Sequence, residues 1–243
     1  MSDTTQQRTA LVTGANKGIG YEIAAGLARL GFRVAVGARD DGRRADAVDK
    51  LRAEGLDVLG VPLDVTDDAS VAAAAAQLEE LGGLDVLVNN AGITGGMPQE
   101  PSLVTAEQVL GVVDVNVLGV IRVTNAMLPM LRRAGSPRIV NVSSTVGSLG
   151  LQTAQPEPVG PISGAYSPTK TYLNALTVQY AKELAGTGIL VNAGCPGYVA
   201  TDLNGHRGTR TPQQGAAVFL ELATLPDDGQ SGTFRDETGI QPW

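Results

Sequence analysis

The chain has 243 residues, the length of one α/β domain or at most two small ones. Hydrophobic residues make up 43% and charged residues 18%, which excludes a disordered chain. A net charge of −7, from 25 acidic and 18 basic side chains, argues against a general polyanion binder, because affinity for phosphate backbones comes from Lys and Arg.

No apolar run approaches the ~20 residues needed to span a bilayer. Residues 1–8 are polar, carry no apolar signal segment and read as a flexible lead-in. The lone Cys195 has no intramolecular partner, which fits a reducing compartment. The expectation is a cytoplasmic enzyme or ligand-binding domain, with neither membrane nor nucleic acid as partner.

From residue 9 onward, short β-branched runs alternate with helical patterns. Residues 9–13 predict a first strand, and 18–30 a helix with Ile19, Ile23, Leu27 and Leu30 on one face. Residues 33–38 form a second strand, 40–54 a charged helix and 57–62 a third strand. Asp67 or Asp68 is placed to cap an alanine-rich helix ending near 81. Strands at 84–89, 138–143 and 189–195 follow, with a long helical region at 102–134 and another helix after Gly164. Strands apolar on both faces, separated by helices, predict a doubly wound, Rossmann-type parallel sheet covered on both sides, in a single domain over 9–243.

The turn after the first strand reads Thr13-Gly14-Ala15-Asn16-Lys17-Gly18-Ile19-Gly20. Gly14 permits a tight turn, Gly18 lets the backbone approach a phosphate, and Gly20 allows close packing of helix on strand. The helix start adds free N–H groups and the positive end of its dipole, both favourable to a pyrophosphate. At the end of the second strand, an Asp or Glu suits a ribose 2′-hydroxyl and an Arg suits a 2′-phosphate. Here the chain reads Ala38-Arg39-Asp40, with Lys17 and Arg43 as further cations. That favours NADP(H), although the Asp40 carboxylate is an alternative partner for the ribose.

Tyr166 and Lys170, spaced i and i+4, share one helical face. A phenol ordinarily titrates near 10, and a neighbouring ammonium is expected to lower that value toward the working range.

Taken in order, Thr13-Gly14-xxx-Gly18-Ile19-Gly20, Asn89-Asn90-Ala91-Gly92, Asn116, Ser143-Ser144, Tyr166-xxx-Lys170 and Pro196-Gly197 resemble the short-chain dehydrogenase/reductase family over nearly the whole chain. The Asn16-Lys17-Gly18 and Ala38-Arg39-Asp40 segments are most similar to its NADPH-dependent carbonyl reductases. The resemblance implies Tyr166 as general acid toward a carbonyl and Lys170 as the holder of the nicotinamide ribose. It implies Ser144, rather than Ser143, as the donor to the substrate carbonyl, and Asn116 as holder of a water in a proton relay. Asp64 and Val65 would flank the adenine, Asn90 and Gly92 the groove, and Pro196, Gly197 and Val199 the nicotinamide wall, with Thr201 at the carboxamide.

Two segments depart from the family pattern. Ser144 and Tyr166 lie 22 residues apart, a long spacing, and residues 152–164 carry prolines and glycines that predict a surface loop. An insertion there leaves monomer and homo-oligomer both open. Residues 202–212 predict a short polar substrate loop, with Gly205 and Gly208 as hinges and an open cleft for bulky ketones. His206, Arg207 and Arg210 are either anion-attracting or simply solvated. With one His and one Cys, no metal site is expected.

The implied function is reversible reduction of a ketone or aldehyde. The alternatives are a noncatalytic NADP(H)-sensing protein on the same scaffold and, within enzymes, an epimerase or dehydratase.

Overall fold

A computed structural model describes residues 7–154 and 159–243. Eight strands form one sheet in the order β3-β2-β1-β4-β5-β6-β7-β8. They are β1 (Thr9–Thr13), β2 (Arg33–Ala38), β3 (Val58–Pro62), β4 (Val86–Asn89), β5 (Arg138–Val142), β6 (Leu190–Gly194), β7 (Phe234–Asp236) and β8 (Gly239–Ile240). All neighbours pair in parallel except β7 and β8, which form an antiparallel hairpin.

The helices are α1 (Gly18–Arg29), α2 (Asp41–Ala53), α3 (Asp68–Glu80), α4 (Ala106–Val113), α5 (Gly119–Leu131), α6 (Leu149–Ala154), α7 (Tyr166–Glu183) and α8 (Pro212–Ala223). Successive strand residues point to opposite faces, and each face has its own core. Ala10 and Val12 of β1 join Ile23 and Leu27 of α1, Leu51 of α2 and Phe219 of α8. Leu11 points the other way, into a core with Leu78 of α3, Met127 of α5 and Tyr180 of α7. Strand order reverses between β1 and β4, and a crevice opens at the carboxyl ends of strands on either side of such a switch point.

The single-domain, doubly wound architecture matches the expectation from periodicity, and several details correct it. The lead-in assigned to residues 1–8 lies outside the described residues up to position 6. Arg8 is not loose: its guanidinium donates to Ser136 O at 2.6 Å and lies 4.8 Å from the Phe32 ring centroid. The long helical region spans Ala106–Leu131, and a π-helical turn at Asp114–Leu118 separates α4 from α5. This stretch is long and apolar enough to cross a membrane by length and composition, which the search for uninterrupted apolar runs missed. In the fold one face of it packs inward, with Val117, Val120, Val123, Met127 and Leu131 buried. Of the segment 152–164, residues 152–154 are the end of α6 rather than loop, and 155–158 lie outside the described residues. Helix α8 begins where the polar substrate loop was expected to end, and Thr211 caps it by accepting from Gln214 N at 3.2 Å.

Candidate active site

The glycine-rich turn joins β1 to α1 at the switch point. Its glycines answer to close approaches: a Cβ on Gly20 would lie 2.4 Å from Asn90 Nδ2, and one on Gly14 3.0 Å from Ala91 Cα. Asn90, expected to line the groove, braces it, donating to Thr13 O at 2.8 Å and Gly14 O at 3.2 Å. Side chains of Asp40, Asp67, Thr105 and Thr211 cap α2, α3, α4 and α8, but no side chain caps α1. The first-turn N–H groups at Gly18, Ile19 and Gly20 therefore remain for an anion. Thr201 lies opposite, its Cγ2 3.5 Å from where a Gly18 Cβ would be.

Around the end of β2 the cations divide. Arg39 is exposed, and no hydrogen bond or ion pair engages it among the described residues. Lys17 pairs with Asp202 at 2.5 Å, an exposed contact that uses one of its three donors. Asp40, the alternative ribose partner, spends its carboxylate on Arg43 N at 2.8 Å as the α2 cap. Arg44, which sequence reasoning passed over, donates to Ala38 O at 2.8 Å and fixes the strand end. Its only sequence signal is a helix position two turns from that strand. Asp64 accepts from both the hydroxyl and the backbone N–H of Thr66, and these bonds hold its carboxyl below the usual range. Val65 is buried against Gly119.

Helix α7 starts at Tyr166 and carries Lys170 one turn later. Lys170 Nζ lies 5.6 Å from the Tyr166 ring centroid and donates to Val142 O at 2.6 Å. Lys170 is buried, and burial pushes its ammonium down to about 8. An ammonium has three donors, so two remain for hydroxyl ligands. Tyr166 is half-buried, and burial pushes its phenol above the ordinary value, with Cys195 adding in the same direction. Both influences on Tyr166 act upward, the lowering expected from Lys170 is not among them, and the phenol stays protonated at neutral pH.

Ser143 and Ser144 separate cleanly. Ser143 is buried, its hydroxyl donating to Asn174 Oδ1 at 2.5 Å. Ser144 is partly open, and among the described residues its Oγ makes one long bond, accepting from Val146 N at 3.4 Å, and its own proton has no acceptor. Asn116 sits in the π turn and is buried, not a surface amide. Its Oδ1 accepts from Ile93 N at 2.9 Å, and its Nδ2 donates to Ile93 O at 2.9 Å and Thr169 Oγ1 at 3.1 Å. Both side-chain donors are therefore taken: Asn116 ties the segment after Gly92 to α7.

Sequence reasoning also missed Ser163, whose Oγ accepts from Tyr166 N at 2.8 Å and donates to Gln99 Oε1 at 2.6 Å. A serine three residues before a helix-borne tyrosine was a visible capping signal. A groove of about 460 Å³ lies beside this helix start, lined by Val146, Leu149, Ile162, Ser163 and Ser167 among others.

The loop after β6 is firmer than its composition implied. Gly197 has φ +75° beside Pro196, and Val199 is buried and bridges Arg210. Residues Asp202–Asn204 form a 3-10 turn. A Cβ on Gly208 would lie 2.1 Å from Ala200 N, so this glycine serves contact, not hinge motion. The cations act locally: His206 Nε2 meets Asp202 at 2.8 Å, Arg207 Nε donates to Asn204 O at 2.9 Å, and Arg210 pairs with Glu237. Among the described residues no cluster of His, Cys, Asp and Glu is arranged to hold a metal.

A doubly wound sheet with a switch point beside an uncapped α1, and a Tyr166–Lys170 pair on α7, has known counterparts. The short chain dehydrogenase family profile matches residues 8–211. The chain belongs to that family. Among relatives of this short-chain dehydrogenase, carbonyl reductase 1 (NADPH) of Mus musculus is 35% identical, covering 99% of this chain and 100% of the relative. The Sus scrofa carbonyl reductase 1 (NADPH) is 36% identical over 100% and 96%. Salutaridine reductase from Papaver somniferum superposes with a TM-score of 0.82 at 31% identity, covering 94% of this chain and 99% of that one. A gluconate 5-dehydrogenase from Burkholderia cenocepacia, solved with NADP and tartrate, gives 0.82 at 27% identity, over 94% and 92%. The chain is thus an oxidoreductase of the short-chain dehydrogenase family.

Proposed function

We propose that this short-chain dehydrogenase reduces a ketone or aldehyde to the alcohol, reversibly, with NADP(H) as cofactor. The observation that carries the reading is the buried Lys170 ammonium, 5.6 Å from the Tyr166 ring centroid and bonded to Val142 O, two residues before a Ser144 hydroxyl that donates to no acceptor among the described residues. The uncapped start of α1, the close-packed glycine turn and the unpartnered Arg39 fit a phosphorylated dinucleotide. The two unspent donors of Lys170 suit its ribose hydroxyls.

When bound, the nicotinamide supplies a hydride to the carbonyl carbon. Ser144 Oγ donates to the carbonyl oxygen and fixes its direction. As the C–O π pair moves onto oxygen, Tyr166 gives up its phenolic proton and the alcohol O–H forms. A neutral phenol is the form this step requires, and burial maintains it. Lys170, titrating near 8, then stands ready to return a proton toward the phenolate oxygen. Asn116 keeps α7 fixed to the Gly92 segment while this happens. Pro196, Gly197, Val199 and Thr201 would wall the nicotinamide, and Asp64 and Val65 would bound the adenine. The single buried thiol is in keeping with a cytoplasmic location.

The test is NADPH consumption over a panel of small and bulky ketones, comparing wild type with Tyr166→Phe. Turnover by wild type that falls about 10³-fold in the variant, at unchanged NADPH affinity, is the expected result. Tight NADPH binding with no turnover across the panel would overturn the reading in favour of a cofactor sensor.

A further inference from the structure

The Ser144 turn is held from three sides, and one of them is unexpected. From just after β6, Cys195 Sγ accepts from Thr145 N at 3.3 Å. From α7, the contact is so close that a Cβ on Gly147 would lie 2.6 Å from the Lys170 carbonyl carbon. The third hold comes from residues 242–243, almost a hundred positions away. Ser148 is fully buried and its Oγ donates to Pro242 O at 2.6 Å, while Gly150 N donates to Trp243 O at 2.9 Å. Trp243 stacks on the buried Phe234 with ring centroids 5.7 Å apart and planes at 22°, and it packs against the cluster of Ala193, Cys195 and Phe234. Gln241 N donates to Phe234 O at 2.7 Å, so the segment is laid along β7 before it reaches the turn.

The geometry points to Pro242 and Trp243 as positioning residues for Ser144. The indole is the anchor on β7, and the backbone carbonyls of 242 and 243 are the fingers that grip Ser148 and Gly150. Ser144 has only one long hydrogen bond of its own, so its aim depends on where the following turn is held. Loss of the anchor frees one side of that turn while leaving the glycine-rich turn and α1 untouched, because neither contacts residues 242–243 in any hydrogen bond described above. The inference rests on the proposed role of Ser144 and deepens it.

Trp243 is the single tryptophan of the chain, so its intrinsic fluorescence reports on the clamp directly. The experiment compares wild type with Trp243→Ala, Trp243→Phe, Ser148→Ala and Tyr166→Phe. The readouts are steady-state ketone reduction, NADPH affinity by fluorescence titration, and far-UV circular dichroism. Trp243→Ala is expected to lower kcat on the order of tenfold or more at unchanged NADPH Kd, since small misplacements of an orienting group are costly. Trp243→Phe, which keeps a ring to stack on Phe234, is expected to recover most of that loss. Ser148→Ala, which removes only one finger, is expected to fall between, with the wild-type emission of Trp243 shifted to longer wavelength. Unchanged kcat and KM in both Trp243→Ala and Ser148→Ala, beside an inactive Tyr166→Phe, would overturn the positioning role and leave the reductase reading standing. An equal loss of NADPH affinity and of turnover in Ser148→Ala would also overturn it, in favour of a general folding role. Should Trp243→Ala fail to fold, Ser148→Ala and Trp243→Phe decide the question alone. Full turnover in Tyr166→Phe would instead sink the parent mechanism.

Discussion

The cofactor side and the substrate side of the crevice are built by different means. At the glycine-rich turn, the working groups are backbone N–H donors presented by a stretch of eight residues, and the glycines are required by contacts with Asn90 and Ala91. On the other side, Ser144, Tyr166 and the loop after β6 are held by partners far away in sequence: Cys195, Gln99 through Ser163, Asn116, and Trp243. The first kind of site draws its donors from one contiguous stretch, braced by Asn90 just after β4, and tolerates little variation in its own residues. The second is distributed, and its aim is set by side chains that never meet the ligand.

The comparison breaks most sharply at Gly20. Gly20→Ala puts a methyl 2.4 Å from Asn90 Nδ2 and 2.7 Å from Gly14 O, neither of which can retreat without opening the turn. NADPH affinity is expected to fall on the order of a hundredfold, with about 2 kcal/mol of stability lost to overpacking, read by fluorescence titration and by urea unfolding. Next in size is Arg39→Ala. Removal of a charge-assisted partner of a phosphate is expected to cost about 2 kcal/mol for NADPH and almost nothing for NADH. An unchanged ratio of the two affinities would move the 2′-phosphate elsewhere.

A smaller effect is expected from pH. Lys170 has a folded-state value near 8, below its unfolded value, so its ammonium is complete well below pH 8 and lost above it. NADPH affinity is therefore expected to weaken about fivefold as pH rises from 7 to 9, the difference between a charged and a neutral donor. Lys170→Met should abolish that pH dependence. By linkage, the same lysine makes its contribution to folding stability rise with pH between about 8 and 10.5, since the unfolded chain holds the proton over that window. Smallest of all is Asp202→Asn. Its pairs with Lys17 and His206 are more than half exposed and screened by solvent, so thermal melting should show no measurable change.

The same division explains what could be read from the amino-acid sequence. The strand-turn-helix of residues 9–29, the Asp67 cap and the i, i+4 pair on α7 are encoded by neighbours, and periodicity or capping chemistry exposes them. The capping box of Thr211 and Gln214 was equally local and was obscured by the glycines just before it. By contrast, nothing near Asn116 announces the π turn, and nothing near Gly208 announces the backbone it touches. Lys17 illustrates the limit at a single residue. Its position in the turn points to a phosphate, and nothing in the sequence signals the aspartate 185 positions away that its ammonium also meets. Burial acts in the same hidden way on Tyr166, raising a phenol that the i, i+4 lysine was expected to lower.

The hairpin of β7 and β8 bears on behaviour outside the crevice. A parallel sheet ending at β7 would present an unsatisfied ladder on which another molecule could template a further strand. Here that ladder is met by the two-residue β8, whose Gly239 and Ile240 are exposed and too short to recruit a newcomer along its length. Refolding at high concentration is thereby spared one route to edge-to-edge aggregation.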